Sequence, residues 1–239
     1  MKPDTRTLFG LALADLSYAE ILSTTSERSI AGSNTWIVTV NPEILLYAHQ
    51  NADYHATLQN ADMRVVDGFG AQLFSGVTHR ITGVALTPRY LAYATEHTLP
   101  VLCIVRPDGL STPSAIQEHL TQRYPGINLT VATPSDNLIS IIQTIDPKIV
   151  LCSLGFPAQE TTLKALQPHL HNAVSIGIGG TFDFLLGTKK RAPRMFQQLG
   201  IEWLWRLIQQ PTRITRIWNA IIVFPLTLLF NKKNTRDHN

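Results

Sequence analysis

Short β-branched and apolar runs alternate along this chain with longer segments whose apolar positions recur at helical spacing. Trp36-Ile37-Val38-Thr39-Val40 reads as a strand. Pro42 to Gln59 follows as one helix, with Pro42 near its first turn and apolar residues at Ile44, Leu45, Ala48, Ala52 and Leu58. Met63 to Val66 is a second strand ending at Asp67-Gly68, Thr87 to Glu96 a helix, and Val101 to Val105 a third strand. Ser114 to Arg123 reads as a helix stopped by Pro125-Gly126, Leu129 to Val131 as a strand, and Asn137 to Ile145 as a helix. Lys148 to Leu154 is a strongly apolar strand and Gln159 to Leu170 a helix; Val174 to Ile178 is a strand running into Gly179-Gly180. Such alternation predicts the α/β class: a mostly parallel sheet with helices on both faces.

The pattern changes in the last fifty or so residues, from Lys189 onward. Half of the chain's Lys and Arg fall here, against only Glu202 and Asp237 as acids, so the net charge of +3 hides a marked asymmetry. The stretch carries Trp203 and Trp205, then an apolar run from Ile217 to Phe230 followed by Lys232-Lys233. A basic, Trp-bearing, apolar-ended tail is suited to a membrane surface or a phosphorylated lipid. The apolar run contains Asn219 and Pro225 and falls short of the roughly 18 to 20 residues that span a bilayer, so an interfacial helix is expected. Exposed in solution, such a tail would favour self-association or disorder.

Composition narrows the rest. An apolar fraction of 44% excludes disorder, and the first part of the chain is close to neutral or slightly acidic, which argues against a nucleic-acid binder. The N-terminus, with Asp4, Asp15 and Glu20, is no signal peptide. Cys103 and Cys152 lie inside apolar runs and are expected reduced and buried in a cytoplasmic protein, without metal-ligand spacing.

In a doubly covered parallel sheet, ligands bind beyond the carboxyl ends of the strands. Those ends carry Thr39-Val40-Asn41, Asp67-Gly68-Phe69-Gly70, Gly155 to Glu160 and Gly177 to Asp183. Asp67 could take a proton from a substrate hydroxyl, or be a solvated carboxylate in an Asp-Gly turn. Gly177 to Gly180 could cradle a phosphate through backbone N–H groups, or simply turn the chain. Gln159 and Glu160 open a helix, where Glu160 would complement the dipole and Gln159 lie on the surface; Asp183 could be a cap. No Asp-any-Asp pair exists to hold a nucleotide-bound metal, so Arg side chains and backbone dipoles would have to meet any diphosphate. Arg206, Arg213 and Arg216 are spaced by seven and three, near one face of a continuous helix, or form an ordinary solvated basic face.

Taken in order, several pieces together resemble the WecG/TagA/CpsF glycosyltransferase family. They are Thr39-Val40-Asn41-Pro42-Glu43, Ala61-Asp62 with Asp67-Gly68-Phe69-Gly70, Arg80-Ile81-Thr82-Gly83, and Gly155-Phe156-Pro157-Ala158-Gln159-Glu160. Gly177 to Asp183, Arg191-Ala192-Pro193 and Gly200-Ile201-Glu202-Trp203-Leu204 with Arg206-Leu207, Pro211 and Arg213 complete the series. Ala158 departs from the pattern, standing where the family usually places lysine.

The resemblance implies a Rossmann-like α/β core over 1–195 and a basic helical, membrane-binding appendage over 196–239. It implies an inverting, metal-independent transferase without a cofactor. Such an enzyme moves a sugar from a UDP-sugar to a sugar on a polyprenyl diphosphate at the inner membrane face, in surface polysaccharide biosynthesis. N-acetylmannosamine, its uronic acid, glucose and glucuronate are all compatible donors. By position, Asp67 is the general base, and Thr39, Asn41, Gly68, Arg80, Gln159, Gly179, Gly180 and Asp183 surround the substrates. Arg206, Arg213 and Arg216 would meet the diphosphate. Two alternatives stay open: a non-catalytic nucleotide-sugar or lipid-phosphate binding module of an envelope complex, and an α/β protein whose tail packs on its own core.

Overall fold

The structure is a computed structural model that describes residues 6–190, 192–193, 195–196, 202–209 and 214–236. Six parallel strands form its sheet: β3 (Thr35–Val40), β4 (Met63–Val66), β5 (Val101–Val105), β6 (Leu129–Ala132), β7 (Ile149–Ser153) and β8 (Val174–Gly177). Their order is β4-β3-β8-β7-β5-β6. An antiparallel hairpin, β1 (Arg6–Leu8) and β2 (Leu11–Leu13), precedes the sheet and turns through Phe9 and Gly10, both at positive φ. Ala14 then continues the chain alongside β4, its N–H donating to the Arg64 carbonyl at 2.9 Å.

The expected mostly parallel α/β architecture is what the chain adopts. Period-two alternation sends Trp36, Val38, Val40, Leu102, Ile104, Val150 and Cys152 to one face of the sheet. There they meet helices α2 (Pro42–Gln50), α3 (Ala52–Gln59), α7 (Leu138–Ile145) and α8 (Ala158–Leu166). Ile37, Val101, Cys103, Val105, Leu151 and Ile176 face the other way, onto α1 (Tyr18–Ile30), α5 (Gly83–Glu96) and α6 (Pro113–Arg123). Both thiols are fully buried and on opposite faces; burial pushes them well above the usual range, Cys152 to about 12. They are inert core residues, as the sequence suggested.

Some boundaries move for local reasons. The helix expected over Pro42 to Gln59 is two helices, because Asn51 adopts an extended conformation and its Oδ1 accepts the Tyr54 N–H at 2.9 Å, capping α3. Helix α5 begins at Gly83 rather than Thr87, since the Thr82 hydroxyl caps it, and Pro88 lies inside it. Helix α1 was not anticipated, although Ser17 and Glu20 form a reciprocal capping box at its start. Helices α4 (Phe69–Ser75) and α9 (Thr181–Leu185) are short and directly follow strand-end glycines.

In the tail, helix Glu202–Gln209 is followed by a helical run of Ile214–Trp218, a wide turn at Asn219–Val223 and Phe224–Arg236. Pro225 has no N–H to give a carbonyl one turn back, and the wide turn precedes it. The run contains the helix expected at Ile217 to Phe230. Its inward face buries Phe224 and Leu228, with the Phe224 ring edge-on to Phe9 and Phe74. Its outward face leaves Trp218, Ile222, Leu226, Leu229 and Phe230 exposed. Among the described residues no helix is long and apolar enough to cross a membrane.

Among the described residues, one ionisable acid lies wholly inside. Glu160, in the first turn of α8, is fully buried, and its Oε1 accepts the Gln159 amide at 2.6 Å. Its other oxygen has no hydrogen-bond partner. Burial is the main cause that raises its pKa above the ordinary 4.5, and the Gln159 amide pulls only partly the other way. The folded state therefore holds this proton more tightly than the unfolded chain does. Its stability contribution is full below pH 4.5 and is lost as pH rises through the folded value. Glu160→Gln is accordingly expected to raise the urea midpoint relative to the wild type at pH 8, with the gap closing toward pH 4; parallel stability curves across that range would contradict this.

Candidate active site

The carboxyl ends of β3, β4, β5, β7 and β8 open into one cavity of about 430 Å³. This is where a parallel sheet with oppositely running connections leaves a crevice. Thr39, Asn41 and Asp67 line it, together with Gln159, Gly179, Gly180 and Asp183. Trp205 and Arg216 reach it from the tail, and Lys189 and Lys190 from the segment before.

Asp67 follows β4 directly and is partly buried. Its backbone N–H continues the sheet by donating to the Val40 carbonyl at 2.7 Å, and its Oδ2 accepts the Gly83 N–H at 3.3 Å. Gly68 backs it. A Cβ at position 68 would lie 2.9 Å from Pro42 Cδ and 3.3 Å from Asn41 Cβ, so only glycine allows β3 and β4 to end this close together. Asn41 uses its Oδ1 to cap α2, accepting the Ile44 N–H at 3.0 Å. Thr39 is buried, and its hydroxyl donates to the Gly177 carbonyl at 3.0 Å.

The turn after β8 commits two of the N–H groups of the suggested phosphate cradle elsewhere. The Ile178 N–H donates to the Cys152 carbonyl at 2.8 Å and the Gly179 N–H to Gln159 Oε1 at 2.9 Å. Gln159 is thus no surface residue: it is buried, and its amide bridges the turn to Glu160. Position 177 must be glycine for the same reason, since a Cβ there would meet Gln159 Nε2 at 2.7 Å.

Asp183 is a hub rather than a simple cap. Its Oδ1 accepts the Ser111 hydroxyl at 3.0 Å, and its Oδ2 pairs with Lys189 Nζ at 2.6 Å. The pair ties the loop after β5 to α9 and holds an ammonium group at the cavity wall. Neither Ser111 nor Lys189 was singled out from sequence, because their pairing depends on loops 72 and 6 residues away in the chain from Asp183.

On the tail side, Arg216 donates to both oxygens of Glu43, at 2.8 Å for the Nη2–Oε2 bond. Its guanidinium also lies 5.8 Å from the centre of the Phe156 ring. Trp205 Nε1 donates to the Lys190 carbonyl at 3.4 Å, and its ring meets Phe196 edge-on. Of the other expected arginines, Arg213 and the side chain of Arg206 lie outside the described residues. Gly68 and Arg80 do not themselves line the cavity; Arg80 sits in the loop that leads to Gly83. Among the described residues no group of three or more His, Cys, Asp or Glu side chains is arranged to hold a metal ion.

Chemically, the arrangement sets a carboxylate on the wall of a cavity that two ammonium groups and a guanidinium also line. It suits removal of a proton and retention of an anion within the same cavity.

The chain is similar to known proteins over most of its length. Two relatives are N-acetylglucosaminyldiphosphoundecaprenol N-acetyl-beta-D-mannosaminyltransferases, from Staphylococcus aureus strains MW2 and MRSA252. Each is 30% identical over 195 residues, which cover 77% of this chain and 76% of the relative. The model of the glycosyl transferase WecG/TagA/CpsF family matches residues 6–238. With nearly its whole length matched, and with the strand-end segments gathered around one cavity, the chain belongs to the WecG/TagA/CpsF family of glycosyltransferases.

Proposed function

We propose that this glycosyltransferase moves a sugar, N-acetylmannosamine by analogy with the relatives, from a UDP-sugar to a sugar carried on a polyprenyl diphosphate. The observation that carries the reading is that one cavity is lined both by Asp67 and by the cations Lys189, Lys190 and Arg216. In the proposed reaction Asp67 accepts the proton of the acceptor hydroxyl. The resulting oxygen attacks the anomeric carbon from the face opposite the nucleotide, forming the new C–O bond as the bond to UDP breaks, and the configuration inverts. UDP departs with its charge met by ammonium, guanidinium and backbone N–H groups rather than by a divalent metal. Thr39, Asn41, Gly179, Gly180 and Asp183 frame the substrates, Gln159 holds the turn beneath them, and Gly68 and Arg80 support Asp67 from behind.

Residues 196–239 act as an appendage to the 1–195 core in this reading. The presence of Trp205 and Arg216 in the cavity wall supports a part in catalysis. Arg206 and Arg213 are assigned with Arg216 to the substrate's diphosphate. The exposed stripe of Trp218, Ile222, Leu226 and Leu229 supports peripheral binding at the inner face of the membrane, where a lipid-linked acceptor resides. No nucleic acid takes part.

Two measurements test these roles. Asp67→Asn should lower kcat by about 10²- to 10⁴-fold, the range for loss of a general base, while UDP affinity measured by calorimetry stays unchanged; full turnover in the folded variant would remove Asp67 from the mechanism. The variant Trp218→Ser/Ile222→Ser/Leu226→Ser alters only exposed or half-buried tail positions. It should reduce partition onto anionic vesicles by at least about tenfold, with detergent-dispersed acceptor still turned over. Unchanged vesicle binding would exclude the stripe as the membrane contact.

A further inference from the structure

The segment between β2 and α1 grips the loop that delivers a backbone N–H to Asp67. Asp15 Oδ2 accepts the Thr78 N–H at 2.8 Å, and Oδ1 accepts the His79 N–H at 2.9 Å. Oδ1 also faces His79 Nδ1 at 3.0 Å; an ionised carboxylate can only accept, which assigns the ring hydrogen to that nitrogen. Burial alone would raise the Asp15 carboxyl, but these donors outweigh it and bring it down to about 2, so the grip is ionised at any working pH.

Three residues on, Tyr18 holds the same loop from a second point. Its hydroxyl donates to the Arg80 carbonyl at 3.4 Å and accepts the Thr82 N–H at 3.0 Å. The Arg89 guanidinium lies 4.2 Å from the centre of the Tyr18 ring and fixes it in turn. Between these anchors the Ile81 N–H donates to the Val66 carbonyl at 2.8 Å. Every residue from Thr78 to Thr82 therefore has a backbone group bonded outside the loop. The next residue, Gly83, donates its N–H to Asp67 Oδ2. Neither Asp15 nor Tyr18 lines the cavity.

We propose that Asp15 and Tyr18 are positioning residues for the reaction: by bracketing the 78–82 loop they place the Gly83 N–H that orients the Asp67 carboxylate. The inference rests on the reading of Asp67 as the base. At 3.3 Å the Gly83 bond is near the limit of hydrogen bonding, so a small displacement of the loop breaks it. The carboxylate then loses one of the contacts that orient it toward the acceptor hydroxyl, and misplacement on the scale of an ångström costs up to about 10²-fold in rate.

The test compares the full-length chain with Asp15→Asn, Tyr18→Phe, Asp67→Asn and the double variant Tyr18→Phe/Asp67→Asn. The readouts are kcat, KM for both substrates and UDP affinity. Tyr18→Phe and Asp15→Asn are expected to lower kcat about 10- to 100-fold, with UDP affinity held within about twofold. In the Asp67→Asn background Tyr18→Phe should add no further loss, because the group being positioned is already gone. Near-wild-type kcat in both single variants overturns the proposal, as does an equal loss with and without Asp67, which would mark a merely structural role. Full turnover in Asp67→Asn itself overturns the base assignment and this inference together, and is told apart by that variant alone.

Discussion

The contact between the ends of β3 and β4 sets the geometry of the whole carboxyl edge. It exists because residue 68 has no side chain: a single Cβ would enter the van der Waals space of Pro42 and Asn41. Interiors yield little to added volume, and overpacking by one methyl typically costs about 1–3 kcal/mol. Here the same displacement would also separate Asp67 from Asn41, which both line the cavity. The effect extends beyond the strands, since Asn41 caps α2 and the first turn of α2 carries Glu43. Glu43 in turn receives Arg216 from the tail. One close backbone approach thus fixes Asp67, a helix start and, through Glu43, the position of Arg216.

A second set of bonds does the same for β7 and β8. Thr39 bonds the Gly177 carbonyl, Gln159 bonds the Gly179 N–H, and Glu160 bonds Gln159. These are short polar bonds in a buried place, where an unmade bond costs about 1–3 kcal/mol and a bond made fixes a unique arrangement. The turn after β8 is therefore built by side chains from two other strand ends, not by its own sequence. Its glycines serve close approach at Gly177 and a positive φ at Gly179.

This explains what could be read from the chain beforehand. The strands of the sheet and most of its helices follow from local periodicity, and so does the placement of Asp67 and Asp183 at strand ends. Asn51 hid a break because one extended residue that caps the next helix leaves the apolar spacing on either side intact. Gln159 looked like a surface residue because its burial is decided by the turn after β8, some twenty residues away. The glycine run could be read as a phosphate cradle or as a turn, and nothing local reveals that Gln159 takes one of its donors. Asp15 carried no signal at all: its partners stand 63 and 64 positions along the chain. Arg216 was legible as a basic residue on a helical face, but its pairing with Glu43 spans 173 positions.

The tail helix resolves an apparent conflict between packing on the core and meeting a membrane. Phe224 and Leu228 point inward and are buried, whereas Trp218, Ile222, Leu226 and Leu229 recur at helical spacing on the other side. Burying a side chain such as Phe224 contributes on the order of 1.5–3 kcal/mol, so the inward face alone favours docking. Docking fixes Arg216 against Glu43 and Phe156 whether or not a bilayer is present. The outward face is then left for a lipid surface without the helix having to leave the core. On the proposed function, the membrane would bring the acceptor to a cavity wall that already stands, and the tail need not fold upon arrival. The exposed Glu43–Arg216 pair is suited to that role. Solvent screens such a pair, so on the proposed reading it holds the arginine in place yet gives it up at little cost to a diphosphate, which carries more charge.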